Sequence, residues 1–209
     1  IQALKDEGID VECVGSEFFA EITDDYTAVL SKLNATGCDV VMNYGTYTQL
    51  APFAIQKQKA GYEWDIMAVG NAQDDNLLST GGDAVEGICL PASFNVDSAD
   101  PAMQQFITDF KEYTGGTLPN CYTMHAWDSC NYVCYLVEQT GSLDRKTLME
   151  AAHEIPYEGV TGTVMFDENN ECPKIQYVMK IENGKFVEIP HFLTRWDEFV
   201  AEMKNGAGA

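Results

Sequence analysis

The sequence predicts an α/β fold in which a parallel sheet is flanked by helices. Strand-like apolar runs recur along the first half of the chain, at residues 11–19, 38–44, 65–70 and 85–90. Segments with helical periodicity lie between them, and an alternation of strands with helical connections favours parallel pairing. In such sheets ligands collect beyond the carboxyl ends of the strands. The loops after the strands are therefore where a site is expected.

Helices are predicted on both sides of the second strand, because apolar residues recur there close to the i, i+3, i+4, i+7 spacing. The segment IQALKDEGID at the start of the chain is predicted to be the end of a helix, with Gly8 as its stop signal. The periodic positions are Tyr26, Val29, Leu30 and Leu33 before the second strand, and Leu50, Phe53, Ala54, Lys57 and Ala60 after it.

The second half of the chain is predicted to be helical after a linker, PASFNVDSADPA, that is rich in Pro, Ser and Asp. One helix is expected over residues 102–113 and a longer one from about residue 120 to 139. A third is expected to begin at Ser142, whose hydroxyl would cap it, and to end near Ile155.

The last part of the chain changes character. Residues 163–167 and 175–181 are strand-like, and the Asn183-Gly184 pair predicts a hairpin turn leading into a strand at residues 185–189. A terminal helix is predicted from apolar residues at helical spacing, which are Trp196, Phe199, Val200 and Met203.

Composition limits the possible partners. The chain has 209 residues, 45% of them hydrophobic, which is enough for a substantial core. Its 33 acidic and 12 basic residues give a net charge of −21, and such a surface repels phosphate backbones, so nucleic-acid binding is not expected. The seven cysteines are an odd number and include no C-x-x-C pair, which argues against a disulfide framework.

Several segments, in their order, resemble a known family. They include DYTAVLSKLNATGCDVVM, KQKAGYEWDIMAVGNA, GGDAVEGICL, YEGVTGTVMFDENNE and QYVMKIENGKFVEI. This set is similar to the substrate-binding proteins of branched-chain amino acid ABC transporters, the leucine/isoleucine/valine type with the type I periplasmic binding fold. The likeness extends over about residues 24–189, and no single motif carries it.

The resemblance implies two α/β lobes that close around a ligand by a hinge motion. Residues 1–92 would form most of the second lobe, 93–157 the helical part of the first lobe, and 158–209 the return crossover, final strands and C-terminal helix. The chain would then be a fragment that lacks the N-terminal part of the fold. Apolar faces left uncovered in such a fragment are expected to promote self-association.

The implied function is that of an extracytoplasmic solute-binding component of an ABC importer, either periplasmic or anchored to the membrane as a lipoprotein. It would bind a small polar metabolite, an amino acid or a related amide or acid, and deliver it to an ABC permease without catalysis or a cofactor. The alternative is a ligand-sensing receptor or regulator on the same fold. The sequence contains no G-x-S-x-G elbow, P-loop or G-x-G-x-x-G after a strand, so no enzyme class is indicated.

In the first half, the resemblance places ligand-binding residues at two strand ends. Thr46 or Tyr47, in the turn after the second strand, matches an aromatic position of the family, whereas the nearby Tyr44 is expected to pack under the sheet. Asn71, after the third strand, lies beside the position where the family has an acidic residue for the ligand's ammonium group. An amide supplies no net charge, so this difference disfavours a standard amino-acid ligand. Asp74 is expected to cap the following helix.

In the second half, Tyr122 and His125 lie near the start of the long helix, where the family's aromatic residues approach the ligand. His125 could donate a hydrogen bond to the ligand or be a partly exposed helix histidine, and both interpretations stay open. Trp127 is expected in the core.

Two pairs on the same helix raise the question of a metal. Cys121 with His125, and Cys130 with Cys134, have the i, i+4 spacing of zinc ligands. The two pairs point to opposite sides of a helix, so packing is preferred to a metal site.

Overall fold

The computed structural model describes residues 2–172 and 177–189. The chain divides into two compact units. Unit 1 comprises Ile1–Pro91 and Tyr177–Ala209, and unit 2 comprises Ala92–Gln176. The assignment of residues 1–92, 93–157 and 158–209 to parts of two lobes stays a prediction.

Unit 1 is built on a sheet whose described strands lie in the order β1 (Val40–Met42), β2 (Asp65–Met67), β3 (Cys89–Ala92), β6 (Tyr177–Glu182) and β7 (Lys185–Glu188). The first three strands are parallel, with Val41 opposite Ile66 and Met67 opposite Cys89, and β6 and β7 form an antiparallel pair. The predicted parallel sheet with flanking helices is therefore confirmed. The elements are α1 (Gln2–Asp6), α2 (Thr27–Ala35), β1 (Val40–Met42), α3 (Tyr47–Ala60), β2 (Asp65–Met67), α4 (Asp75–Gly81), β3 (Cys89–Ala92), β6 (Tyr177–Glu182) and β7 (Lys185–Glu188), with short 3₁₀ helices at Gly70–Ala72 and Gly82–Val85.

The helices of unit 1 pack on the sheet through the residues that the periodicity singled out. Tyr26, Leu30, Leu50 and Phe53 are almost completely buried. The Tyr26 and Phe53 rings meet edge to face with centroids 5.5 Å apart, a favoured aromatic geometry. Burial raises the pKa of the Tyr26 hydroxyl, because the phenolate would be poorly solvated.

Three expectations for unit 1 are wrong. Residues 11–19 are not a strand, since apolar content alone does not make a strand without a hydrogen-bonded neighbour; Phe18 in this segment is 89% exposed. Tyr44 is not packed under the sheet but is 83% exposed. The fourth predicted strand begins later than expected, at Cys89, because Val85 lies in a 3₁₀ helix.

The described part of unit 2, residues 92–172, consists of three helices and a two-stranded antiparallel sheet. They are α5 (Pro101–Thr114), α6 (Cys121–Thr140), α7 (Arg145–Ala152), β4 (Tyr157–Gly159) and β5 (Gly162–Val164). One core cluster joins α5 to the start of α6, with Phe94, Phe106 and Met124 among its members. A second cluster joins the rest of α6 to α7 and the two strands through Tyr132 and Val164.

Unit 2 also differs from expectation in detail. The cap of α7 is Asp144, which accepts a hydrogen bond from the Thr147 N–H at 2.9 Å, whereas Ser142 supports the turn before it. Trp127 is half exposed, with one side of its ring against Phe106. It lies at the edge of the core rather than inside it.

The predicted hairpin at the end of the described chain is confirmed. Asn183 and Gly184 both have positive φ, at 53° and 69°, which are the dihedral signs of the type I′ turn that favours Asn-Gly. The terminal helix predicted around Trp196 to Met203, and the start of the strand predicted at residues 175–181, lie outside the described residues.

Candidate functional site

In unit 1 the loop after β1 is shaped by a buried asparagine. Asn43 is 2% exposed, and its side-chain oxygen accepts a hydrogen bond from the Gly45 N–H at 2.8 Å. A Cβ at Gly45 would lie 2.9 Å from that oxygen and 3.1 Å from Gln49, so no larger residue fits without displacing them. This tight turn brings the chain directly from the strand into α3.

Thr46 and Tyr47 stand at the point where this turn becomes a helix. The Thr46 N–H donates to the Gln49 side-chain oxygen at 2.9 Å, and the Thr46 hydroxyl shares a 2.8 Å hydrogen bond with the Thr48 hydroxyl. Tyr47 is the first residue of α3 and is half-buried. Both predicted residues thus lie beyond the carboxyl end of β1.

Asn71 lies beyond the carboxyl end of the neighbouring strand, β2, in the 3₁₀ helix that contacts α3. Gly70 beside it passes so close to β3 that a Cβ would lie 3.0 Å from the Pro91 carbonyl oxygen. The Asn71 side-chain oxygen is buried and has no hydrogen-bond partner among the described residues. Thr46, Tyr47 and Asn71 are therefore gathered at one end of the unit 1 sheet.

The two described loops that follow β1 and β2 carry no ionised side chain. Residues 43–49 and 68–73 contain no Asp, Glu, Lys, Arg or His, although the chain as a whole has 33 acidic residues. The first acid that follows, Asp74, caps α4 as predicted by accepting from the Asn76 N–H at 2.8 Å. The hydrogen-bonding groups here are hydroxyls and amides.

In unit 2, Tyr122 and His125 occupy the first turns of α6. Asn120 caps this helix and accepts from the Thr123 N–H at 3.1 Å. Tyr122 is 54% exposed, and the Nε2 atom of His125 lies 2.9 Å from the Ser93 hydroxyl. His125 is thus an exposed histidine held by a neighbour, and its predicted ligand contact stays a prediction.

Sequence reasoning did not single out Asn43 or Ser93. Asn43 directly follows a predicted strand, and a polar residue at the end of an apolar run is a signal that could have marked it. Ser93 also follows a strand directly, but its contact with His125 joins residues 32 positions apart, and no local pattern reports such a pair.

The cysteines do not assemble a metal centre. Among the described residues, no group of three or more His, Cys, Asp or Glu side chains could hold an ion. Cys121 is buried in the α5–α6 core, as the packing interpretation expects, whereas Cys130 and Cys134 are exposed. No helix within the described ranges has the length and apolar character needed to cross a bilayer.

A parallel sheet with neutral polar groups collected at its carboxyl edge is typical of an α/β protein that binds a small molecule. The periplasmic binding protein family matches residues 1–185, and the chain belongs to that family. The family and its named relatives are binding proteins, not enzymes, which confirms the prediction that the chain is not an enzyme.

Two curated relatives come from Pseudomonas aeruginosa. A leucine-, isoleucine-, valine-, threonine- and alanine-binding protein is 24% identical over 74% of this chain and 41% of its own length. An amino acid binding protein is 23% identical over 79% of this chain and 45% of its own length. The chain therefore spans less than half the length of these relatives.

Solved structures agree with this placement. A leucine-binding protein from Thermotoga maritima aligns with a TM-score of 0.74 and 25% identity, over 83% of this chain and 50% of that protein. The isoleucine complex of a branched-chain amino acid transporter's binding protein from Streptococcus pneumoniae has a TM-score of 0.74 at 20% identity, over 90% and 56%. A benzoate complex of an ABC transporter's solute-binding protein from R. palustris has a TM-score of 0.72 at 17% identity, over 82% and 48%.

Proposed function

We propose that this chain is part of an extracytoplasmic solute-binding protein that delivers a small polar metabolite to an ABC permease. The observation that carries the proposal is the family match over residues 1–185. The grouping of Thr46, Tyr47 and Asn71 at the carboxyl end of the unit 1 sheet supports it, because parallel sheets bind ligands at that edge.

The names of the relatives define the range of ligands to consider. They include proteins for aliphatic amino acids and structures with isoleucine, benzoate or p-hydroxybenzoic acid bound. We propose that the ligand of this protein is of similar size, an amino acid or a related acid or amide. Hydroxyl, amide and aromatic side chains of the kind present here are suited to fixing the orientation of such a molecule.

Calorimetric titration of the full natural polypeptide that contains this chain tests the proposal. The panel comprises the aliphatic amino acids, their amides, and small aliphatic and aromatic carboxylic acids. We expect saturable binding of at least one compound, with one site per chain. If no compound in the panel binds, the proposed function is wrong.

Uptake then distinguishes transport from sensing. Cells that carry the gene and its permease should accumulate the bound compound, labelled with ¹⁴C, faster than cells with the gene deleted. Equal uptake in the two strains, combined with firm binding in vitro, would support the sensor alternative instead.

A further inference from the structure

The chemistry of the unit 1 strand ends narrows the ligand class, on the condition that the proposed function holds. A ligand enclosed by a protein gives up its water, and a desolvated ammonium group then needs a carboxylate or several well-placed acceptors. A hydroxyl or carboxamide group needs only neutral partners. The presence or absence of charged side chains at the strand ends therefore indicates whether the ligand carries an ammonium group or only hydroxyl and carboxamide groups.

The two described loops that follow β1 and β2 offer no carboxylate of their own to an ammonium group. The loop segments 43–49 and 68–73 have no acidic residue, and the Oδ1 atom of Asp74, the next acid along the chain, accepts hydrogen bonds from the backbone and side chain of Asn76. Glu21 reaches this end through its backbone carbonyl, which accepts from the Gln49 side chain at 3.2 Å, and the residue itself is exposed to water.

The groups that are present are neutral, and two of them are buried without a partner. Because the Asn43 oxygen accepts from Gly45, the amide orientation is fixed and its Nδ2 faces the protein as a donor; this atom has no partner among the described residues. The buried Asn71 oxygen is likewise an unmatched acceptor in the described part of the chain. A buried amide atom without a hydrogen-bond partner is destabilising, so the fold retains polar groups here at a cost in stability.

In unit 2, considered by itself, the first part of α6, which contains Tyr122 and His125, also has no exposed acidic side chain. Asp128 is the only acidic residue in the first 17 positions of α6, and it is 3% exposed with both oxygens occupied by Val160 and Thr161. The exposed groups of the first turns include the Tyr122 phenol and the His125 imidazole. Both can donate hydrogen bonds to a carboxylate.

We infer that the ligand is a small organic acid without an α-ammonium group, whose remaining polar groups are hydroxyl or carboxamide. Asn71 is the residue that determines this preference, because the loop after β2 presents its neutral amide and no carboxylate.

Matched pairs of compounds test the inference by calorimetry on the full natural polypeptide. L-leucine is compared with 4-methylpentanoic acid and 2-hydroxy-4-methylpentanoic acid, and L-phenylalanine with 3-phenylpropanoic acid. In each series that binds, we expect the compound without the ammonium group to bind at least about tenfold more tightly, which corresponds to ~1.4 kcal/mol. Equal or tighter binding of the amino acids overturns this inference but leaves the proposed function intact. Absence of binding by every compound overturns both.

An Asn71→Asp variant provides a second, independent test. The added carboxylate should favour the amino acid of each pair and shift the affinity ratio by about tenfold. Asn34→Asp is the matched control, since it makes the same charge change at an exposed position of α2. The inference is wrong if Asn71→Asp leaves the ratio unchanged in a folded variant, or if Asn34→Asp shifts it equally. Should Asn71→Asp fail to fold, the comparison of compounds on the natural protein decides alone.

Discussion

Each unit contains a turn whose backbone is held by one carboxylate, and the two carboxylates differ in burial. In unit 1, Glu86 accepts from the N–H groups of Asn183 and Gly184 at 2.9 and 2.6 Å, and it is exposed. In unit 2, Asp128 accepts from the N–H groups of Val160 and Thr161 at 2.8 and 2.9 Å, and also from the Thr161 hydroxyl, at 3% exposure.

This difference in burial shows why similar hydrogen bonds can contribute differently to the free energy of unfolding. If the Glu86 carboxylate is removed, water can solvate the freed N–H groups of its turn. If the Asp128 carboxylate is removed, water has poor access, and the freed donors of the 160–161 turn stay unmatched in the interior. Leaving a buried group unmatched costs more than the net gain from an average hydrogen bond.

The largest effect is therefore expected for Asp128→Ala. The change leaves the buried N–H and hydroxyl of Thr161 and the part-buried N–H of Val160 without their acceptor, and we expect the free energy of unfolding to fall by about 3–5 kcal/mol. Urea unfolding measures it. Asp128→Asn keeps one acceptor oxygen and should lose about half as much. A loss below about 1 kcal/mol for the alanine variant would contradict the comparison.

A smaller loss is expected for Gly159→Ala. Its Cβ would lie 2.5 Å from the Asp128 carboxyl carbon, which is fixed by its hydrogen bonds, and such overpacking costs about 2 kcal/mol. Urea unfolding of the single and double variants checks the cause. In the Asp128→Ala background the glycine substitution should cost much less, because the clashing group is gone; an unchanged cost would show that the clash is elsewhere.

For Glu86→Ala we expect a loss of about 1 kcal/mol, because its turn stays accessible to water. Unfolding in urea measures the loss of stability, and amide exchange at Asn183 and Gly184 shows whether the loss arises at this turn. Glu63→Ala is the control, since Glu63 is also exposed in unit 1 and should change stability by less than about 0.5 kcal/mol. If Glu86→Ala lowered the free energy of unfolding as much as Asp128→Ala does, burial would not explain the difference between the two carboxylates.

The smallest effect concerns pH. Hydrogen bonds from the Thr147 backbone and hydroxyl lower the pKa of Asp144 below its ordinary value of 3.8, and those from Thr27 do the same for Asp25. A depressed carboxyl pKa means that its stabilising contribution is complete above the unfolded value and is lost as the pH falls through the folded value.

Amide exchange, corrected for the intrinsic rate, should therefore show loss of protection at the first turns of α7 and α2 only below about pH 3.8. The start of α6, capped by the uncharged Asn120, should not respond in the same way. Parallel loss at all three helix ends would point to general acid unfolding instead.

The parts of the fold that the sequence predicted correctly depend on neighbours along the chain. Buried residues recur at helical spacing in α3 and, with Tyr26 and Leu30, at the start of α2. The Asp74 cap and the Asn183-Gly184 turn involve residues within a few positions of one another. The site residues in unit 1 have a different basis. Thr46, Tyr47 and Asn71 were predicted from the family resemblance, which places ligand-binding residues after two strands, and parallel strands place their carboxyl ends at one edge. Their roles stay predictions.

The errors concern interactions with distant residues. Residues 11–19 have apolar content, but a strand also needs a partner strand, and none adjoins them in the described part of the chain. The cap of α7 is a local exception, since Ser142 was predicted but Asp144, two positions later, caps the helix. The sequence did not predict that Asp128 holds the 160–161 turn, because its hydrogen-bond partners are 32 and 33 positions away.

By itself, the sequence determined the α/β class, the helices and the loops at the strand ends, because these follow from residue spacing and local hydrogen bonding. Only the tertiary structure decided which carboxylates are buried, which amides lack a partner, and that Tyr44 and Trp127 are exposed. Burial and hydrogen-bond partnership depend on residues brought together from distant parts of the chain, and no local pattern encodes that proximity.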